Sequence, residues 1–371
     1  MAKKFSIENY VNELYEMGRK GNEEAQLEFI RFLVTETDFP LPDEAEVWLD
    51  TLAEKGNGQA RRCYFTLAMM GDGEGIDWLK LEQWALAMVE ETPGEAYCML
   101  GMLYEPGLPG FVDLKRTVEY YQKAIELGNT GCGLYLARVY VAHEAELGCD
   151  PAEIRQLLEQ AEPVNPCAQL YGLLAVLCEE ADDYAAAMAY YRKWHRLDPE
   201  DVECCMGIAR NYTLGRGVNL DYETALRYYQ KAANLGDPEA MHMVALFYYE
   251  GTGVRRNYKR ALDFFQRAEA LGYPRAAYYL GLIHLRGLAR RADKDKGFQY
   301  LQACAEAGMP EADVALAMQC AEAAVSVAEL EQAAQWVEKA ESLIPEDDEM
   351  LQRDVEIAQL IIETKRKEFG A

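Results

Sequence analysis

Residues 240–275 read AMHMVALFYYEGTGVRRNYKRALDFFQRAEALGYPR, and this stretch decides the fold. Met241, Val244, Ala245 and Tyr248 fall three and four residues apart, the spacing that gathers side chains on one face of a helix. Pro238 just upstream, with its fixed φ, suits the first turn of that helix. Gly251 and Gly253 end it, because glycine enters the left-handed backbone region without steric cost. A second apolar series, Ala261, Leu262, Phe264, Phe265, Ala268 and Leu271, then runs to Gly272. Two helices of this kind cover only one side of each other, so the pair needs neighbours.

The neighbours lie along the chain. Counting from the small residue that opens each pair, repeats start at Ala25, Ala60, Ala96, Cys132, Ala168, Cys204, Ala240, Ala276 and Ala312, a first step of 35 residues followed by steps of 36. A fixed period in this range marks an array in which stacked helix pairs build one continuous core. Five residues after many starts stands a small residue, as at Gly101, Ala137, Ala209, Ala245, Gly281 and Ala317. Eight residues after stands a ring, as at Tyr104, Tyr140, Tyr212, Tyr248 and His284. The small residue admits the second helix closely and the ring fills the space one turn on. The second helices repeat a phrase: EYYQKAIELG at 119, RYYQKAANLG at 227, DFFQRAEALG at 263 and QYLQACAEAG at 299.

This pattern resembles the Sel-one-like repeat family, the subclass of tetratricopeptide repeats lengthened by a glycine-bearing turn, as in YTLGRGVNLDYETALRYYQKAANLG from Tyr212. The repeats at 96, 204, 240 and 276 match it closely. Those at 132 and 312 lack the glycine turn, and the repeat at 168, with EADDYAAAMAYYRKWHRLDPED, is similar to an ordinary tetratricopeptide repeat. The resemblance implies an all-α fold: a right-handed α-solenoid, or superhelix, of about nine helix-turn-helix repeats of 35–36 residues. It further implies a non-enzymatic scaffold or adaptor for other proteins.

The expected organisation is an N-terminal capping helix over 1–21, the repeats over 22–348 and a C-terminal capping helix over 349–371. Ser6 is expected to cap the first helix. The last, acidic at its start and basic at its end, suits the helix dipole and is expected to turn a polar face outward. No apolar run approaches the roughly 20 residues of a membrane span, and no secretion signal follows the opening lysines, so a cytoplasmic protein is expected. Without a linker to interrupt the period, one elongated domain is expected, with LVTETDFPLPDEAE at 33 and EQAEPVNPCA at 159 as bends.

Catalytic and metal constellations are missing from the sequence. Three serines, Ser6, Ser326 and Ser342, sit in no nucleophile motif, and the GRG and GTG glycines lack the strand and lysine of a phosphate loop. The ten cysteines form no CxxC pair, and Cys63, Cys98, Cys132, Cys204 and Cys304 fall at alanine-like positions, which suits free thiols acting as small hydrophobes. Glu179, Glu180, Asp182 and Asp183 read as a solvated helix end rather than a cation site. No enzyme activity, cofactor or metal is expected.

Charge speaks to partners. Lysine and arginine number 37 against 63 acidic residues, and the net charge of −26 repels nucleic acid and anionic membrane. Residues 201–300 nonetheless hold 15 basic and 11 acidic side chains. In the turns there, Arg216, Arg255, Arg256, Arg290 and Arg291 recur near the repeat spacing, either as a solubilising fringe or as a docking ridge for an acidic or phosphate-bearing segment. By the resemblance, the concave wall is lined by first-helix residues just before each start and two, six, nine and ten after it. These are Met206, Arg210, His242, Leu246, Tyr249 and Glu250, then Arg275, Tyr278, Leu282, Leu285 and Arg286, with Arg138 and Met102 further along. Tyrosine, arginine and methionine suit an interface. The expected ligand is a protein or peptide, arginines taking its acidic or carboxylate groups and tyrosines and leucines its apolar side chains. An exported, host-directed repeat protein, a hydrolase-like enzyme, and self-association of acidic arms on the basic ridge are the alternatives.

Overall fold

The structure, a computed structural model, describes residues 2–36, 41–70, 76–289, 291–345 and 348–370, with side chains from residue 9 onward and not those of 35 and 36. It divides into two compact units, Met1–Leu170 and Tyr171–Ala371. The division falls two residues after EQAEPVNPCA, inside a helix.

The first unit opens with α1 (Ala2–Arg19). Four helix pairs follow: α2 (Glu23–Glu36) with α3 (Asp43–Glu54), α4 (Gly58–Met70) with α5 (Trp78–Ala87), α6 (Pro93–Tyr104) with α7 (Leu114–Glu126), and α8 (Gly133–Ala142) with α10 (Pro151–Ala161), the short α9 (Glu144–Leu147) lying between the last two. Helix α11 (Ala168–Glu180) crosses the division and is paired in sequence with α12 (Tyr184–Leu197). The second unit continues with α13 (Val202–Leu214) and α14 (Tyr222–Asn234), α15 (Pro238–Glu250) and α16 (Tyr258–Ala270), α17 (Pro274–Arg286) and α18 (Lys294–Glu306), and α19 (Pro310–Ala323) and α20 (Val327–Glu341). It ends with α21 (Glu349–Glu368), which packs on α19 and α20. Among the described residues there is no strand. The expected Ser6 cap falls on a side chain outside the described residues.

Each glycine turn is closed the same way. Seven residues, 251–257, link α15 to α16. Gly251 ends α15 at φ 83°, and the Asn257 amide donates back to the Tyr248 carbonyl at 2.8 Å. The bonds from Asp221 to Tyr212 and from Asp293 to His284, both 3.0 Å, repeat it one period away on either side. The closing residue then caps the second helix: Asp221 accepts from the Thr224 amide, Asn257 from Arg260 and Asp293 from Lys296. The repeats at 168 and 312, which lack the glycines, have connections of only three residues, 181–183 and 324–326.

The small residue five after a start does what packing requires of it. A Cβ on Gly101 would stand 2.5 Å from the Tyr121 ring, and one on Gly281 would stand 2.8 Å from the Leu301 side chain. The opening positions Ala60, Ala96, Cys132, Cys204, Ala240, Ala276 and Ala312 are fully buried. All ten cysteines are free. The C-terminal helix carries apolar side chains on its outer surface besides the expected polar ones. Leu351, Val355, Ala358 and Ile362 are buried, but Met350 at 78% and Leu360 at 63% exposure, with Ile357, leave apolar side chains on its outer surface, which a reading of its charges alone overlooks.

Candidate functional site

The wall residues expected from the repeat register separate into three groups. Met206 and His242 are corrections, because both are buried and contribute to the core rather than to an accessible wall. The His242 ring lies 5.0 Å from that of Tyr273, 5.3 Å from Phe265 and 5.4 Å from Tyr279, and its Nδ1 has no hydrogen-bond partner. Burial, and then the charge of Arg275, lower its imidazole to about 4, so it is neutral at ordinary pH.

Arg138 is occupied within the protein. Its Nη2 donates to Oε1 of the buried Glu105 at 2.5 Å, while the Tyr121 hydroxyl donates to the other carboxylate oxygen at 2.5 Å. Burial and the Glu105 charge push the Tyr121 phenol up, so it stays protonated and donating. A guanidinium neutralised this way has little left for a ligand. Met102 is half-buried against the core.

The third group is accessible. Arg210, Arg275 and Arg286 are exposed, and Tyr249 and Tyr278 are half-buried. Burial pushes the Tyr249 phenol up, and the nearby Arg286 charge acts the other way. The Tyr249 ring packs 5.5 Å from both Tyr258 and Tyr279 and 6.4 Å from Phe265, so three rings fix its position.

Only part of this group meets at one place. A cavity of about 320 Å³ lies between α17, α19 and α21. From α17 it takes Tyr278, Leu282, Leu285 and Arg286. From α19 it takes Val314, Ala315, Met318 and Gln319, with Glu311 and Glu322 at its ends, and from α21 it takes Leu351 and Asp354. Its floor is apolar and its rim carries one guanidinium and three carboxylates. Burial pushes the Tyr278 phenol up, keeping it a neutral donor at this wall.

The α19 and α21 contribution was missed by reading only the repeats that match best. The same register applied to the repeat starting at Ala312 yields Glu311, Val314, Met318 and Glu322. Helix α21 takes the place of a tenth first helix, and Asp354 stands 36 residues after Met318. Neither repeat has the glycine turn that draws attention to the others.

The turn arginines are also divided. Arg216 stacks over the Tyr184 ring, 4.7 Å from its centroid. Arg255 and Arg256 line a separate cavity of about 600 Å³. Arg291 is exposed, and Arg290 lies outside the described residues. Of the acidic run, Asp183 caps α12 through the Ala186 amide and Glu179 accepts from Asn211 at 2.7 Å. Among the described residues no cluster of three or more potential metal ligands occurs, and no helix is long and apolar enough to cross a membrane.

Comparison with known proteins bears on four of the repeats. Residues 94–129, 202–237, 238–273 and 274–309 each match the Sel1 repeat model. No curated protein matches the sequence. Among solved structures, a protective antigen present in uropathogenic Escherichia coli strains and displaying an SLR fold is similar, with a TM-score of 0.71 and 22% identity over 90% of this chain and 71% of that one. A Sel1 repeat protein from Oxalobacter formigenes gives a TM-score of 0.52 and 21% identity over 82% of this chain and 89% of the other. At these identities the likeness is one of fold.

Proposed function

We propose that this Sel1-repeat protein is a non-enzymatic scaffold that holds a segment of a partner protein in the cavity between α17, α19 and α21. The repeat fold, typical of protein-interaction scaffolds, supports the general role. The observation that carries the finer one is the convergence of three helices in the same register on a recess with an apolar floor and a charged rim. The half-buried Met318 and Tyr278 offer surface for an aliphatic or aromatic anchor, worth about 25 cal/mol per Å² buried, with the buried Leu282 and Leu285 in the lining behind them. Arg286 is placed for an acidic side chain or a chain-terminal carboxylate, as expected of the wall arginines. Glu311, Glu322 and Asp354 favour a basic group on the remainder of the same segment. The partner is therefore a mixed-charge segment with an apolar centre. The net charge of −26 argues against nucleic acid and anionic bilayer as ligands. Ten unbridged cysteines support a reducing, cytoplasmic setting for the interaction.

A photo-crosslinking amino acid installed at Gln319, inside the cavity, and separately at the exposed Glu338 of α20 tests the site. A discrete protein adduct from position 319 that Arg286→Glu abolishes, and that position 338 does not give, is the expected result. Equal adducts from both positions, or none from 319, would remove the cavity as the binding site.

A further inference from the structure

The second cavity, at the turn between α15 and α16, has a different chemistry. Arg255, Arg256, Lys259 and Arg260 line it together with Tyr248 and Tyr258, and no carboxylate does. Leu288 and Ala289 of the following turn close one side. In a chain with 63 acidic and 37 basic residues, four cations within six positions would ordinarily find carboxylate partners. None of these four does so among the described residues.

What holds them is neutral. Arg256 donates from Nε to the Glu250 backbone carbonyl at 3.1 Å and from Nη1 to the Tyr258 hydroxyl at 3.4 Å. Arg260 donates to the Tyr248 hydroxyl at 2.9 Å, with its guanidinium 5.2 Å from that ring's centroid. These contacts orient two guanidinium groups without cancelling their charge. The side chains of Arg255 and Lys259 have no hydrogen bond or ion pair among the described residues, and both are exposed. Of the nearest acids in sequence, Glu250 accepts from the Thr252 hydroxyl at 3.2 Å, and Asp263, exposed one turn on along α16, makes no ion pair with any of the four among the described residues.

The helix cap reinforces the pattern. The turns one period to either side are capped by Asp221 and Asp293, each placing a carboxylate at the start of its second helix. Here the cap is Asn257, which makes the same bond to the Arg260 amide with no charge. The positive end of α16 is thus left unneutralised at the mouth of the cationic cavity.

From this juxtaposition we infer that the turn cavity binds a phosphomonoester dianion carried on a side chain of a partner protein. Guanidinium forks match the paired oxygens of a phosphoryl group, and an ammonium adds a mobile point charge. A cavity of about 600 Å³ has room for a phosphorylated side chain and a residue on either side. Polyanions are disfavoured because a net charge of −26 repels them beyond this patch, whereas a single dianion meets only the local field. The site is distinct from the cavity at α17, α19 and α21, so the failure of either assignment leaves the other standing.

The test is calorimetric titration of the full chain with an acetylated, amidated Gly-phosphoserine-Gly peptide, its unphosphorylated form, its aspartate counterpart and inorganic phosphate. The phosphopeptide is expected to bind at least tenfold more tightly than the unphosphorylated and aspartate peptides and than the free ion. Arg255→Ala with Lys259→Ala should weaken it at least tenfold, while Arg192→Ala with Arg196→Ala, the same charge change on α12, should leave it within twofold. Circular dichroism establishes that both variants stay helical, and Asn257→Asp, which keeps the cap bond and adds a charge, provides a second variant expected to weaken binding several-fold. Equal binding of the serine and phosphoserine peptides would overturn the inference, as would an equal loss in the α12 variant. Free phosphate binding as tightly as the phosphopeptide would overturn the assignment to a partner's side chain.

Discussion

Arg138 in the first unit and Arg286 in the second both fall on the first-helix wall by their place in the repeat, yet they are chemically unalike. Arg138 meets a buried carboxylate that is itself held by a buried phenol. Arg286 is exposed at the edge of an open recess, with no carboxylate paired to it among the described residues. The first arginine is structural and the second is available. Repeat position determines which way a side chain points; the residue one repeat away determines whether it is free to bind anything. Glu105 is the deciding neighbour in the first case, and Tyr249 occupies the equivalent place, nine residues after its start, in the second.

The largest effect that sharpens this contrast comes from Arg138→Met. Removing the cation leaves Glu105 buried without its counter-charge, which costs about 3–5 kcal/mol. Urea denaturation followed by circular dichroism should show that loss, and a change below 1 kcal/mol would mean that Arg138 is as free as Arg286. Next comes His242, which the register assigned to the wall and the structure assigns to the core. Its folded value near 4 lies below the unfolded 6.5, so its contribution is complete above pH 6.5 and falls away as pH drops through 4, by up to about 3 kcal/mol. His242→Phe should flatten that part of the stability profile relative to wild type, and identical acid profiles would place the ring in water.

Smaller effects distinguish the glycines. A Cβ at Gly253 would stand 2.4 Å from that of Tyr222 at a φ of 64°, whereas one at Gly272, at φ 83°, would meet nothing within 4 Å. Gly253→Ala should therefore destabilise by about 2–3 kcal/mol and Gly272→Ala by about 1 kcal/mol, the left-handed backbone alone. Equal losses in thermal melts would refute close packing at the turn. Arg286→Leu should be the mildest, within about 0.5 kcal/mol of wild type in the same denaturation experiment.

The fold was legible because repetition supplies many readings of one pattern. Ala240, Val244 and Tyr248 recur in kind at Ala96, Leu100 and Tyr104, so a misjudged residue in one repeat is corrected by the next. The site was legible only in part. Tyr278, Leu282, Leu285 and Arg286 were found by register, but Met318, Glu322 and Asp354 belong to helices without the glycine turn and were passed over. The burial of Met206 and His242 could not be read from spacing, since it depends on how Phe265, Tyr273 and Tyr279 fill the layer between neighbouring helices. That Arg255 and Lys259 have no carboxylate partner among the described residues is likewise a property of packing, although Asn257 in place of an aspartate is a visible sign of it.

The constancy of the turn closure has an evolutionary consequence. Pro238 and Pro274 each open a first helix one period apart, so the segment Pro238–Tyr273 is a module whose two ends are interchangeable. Copying it in tandem presents every helix with a neighbour of a shape it already accommodates. Adding one residue fewer rotates each following face by about 100° and buries the wrong side chains. Gene duplication in whole modules is thus a tolerated route by which such a chain lengthens, and each copy brings another GVRRNYKR turn with it.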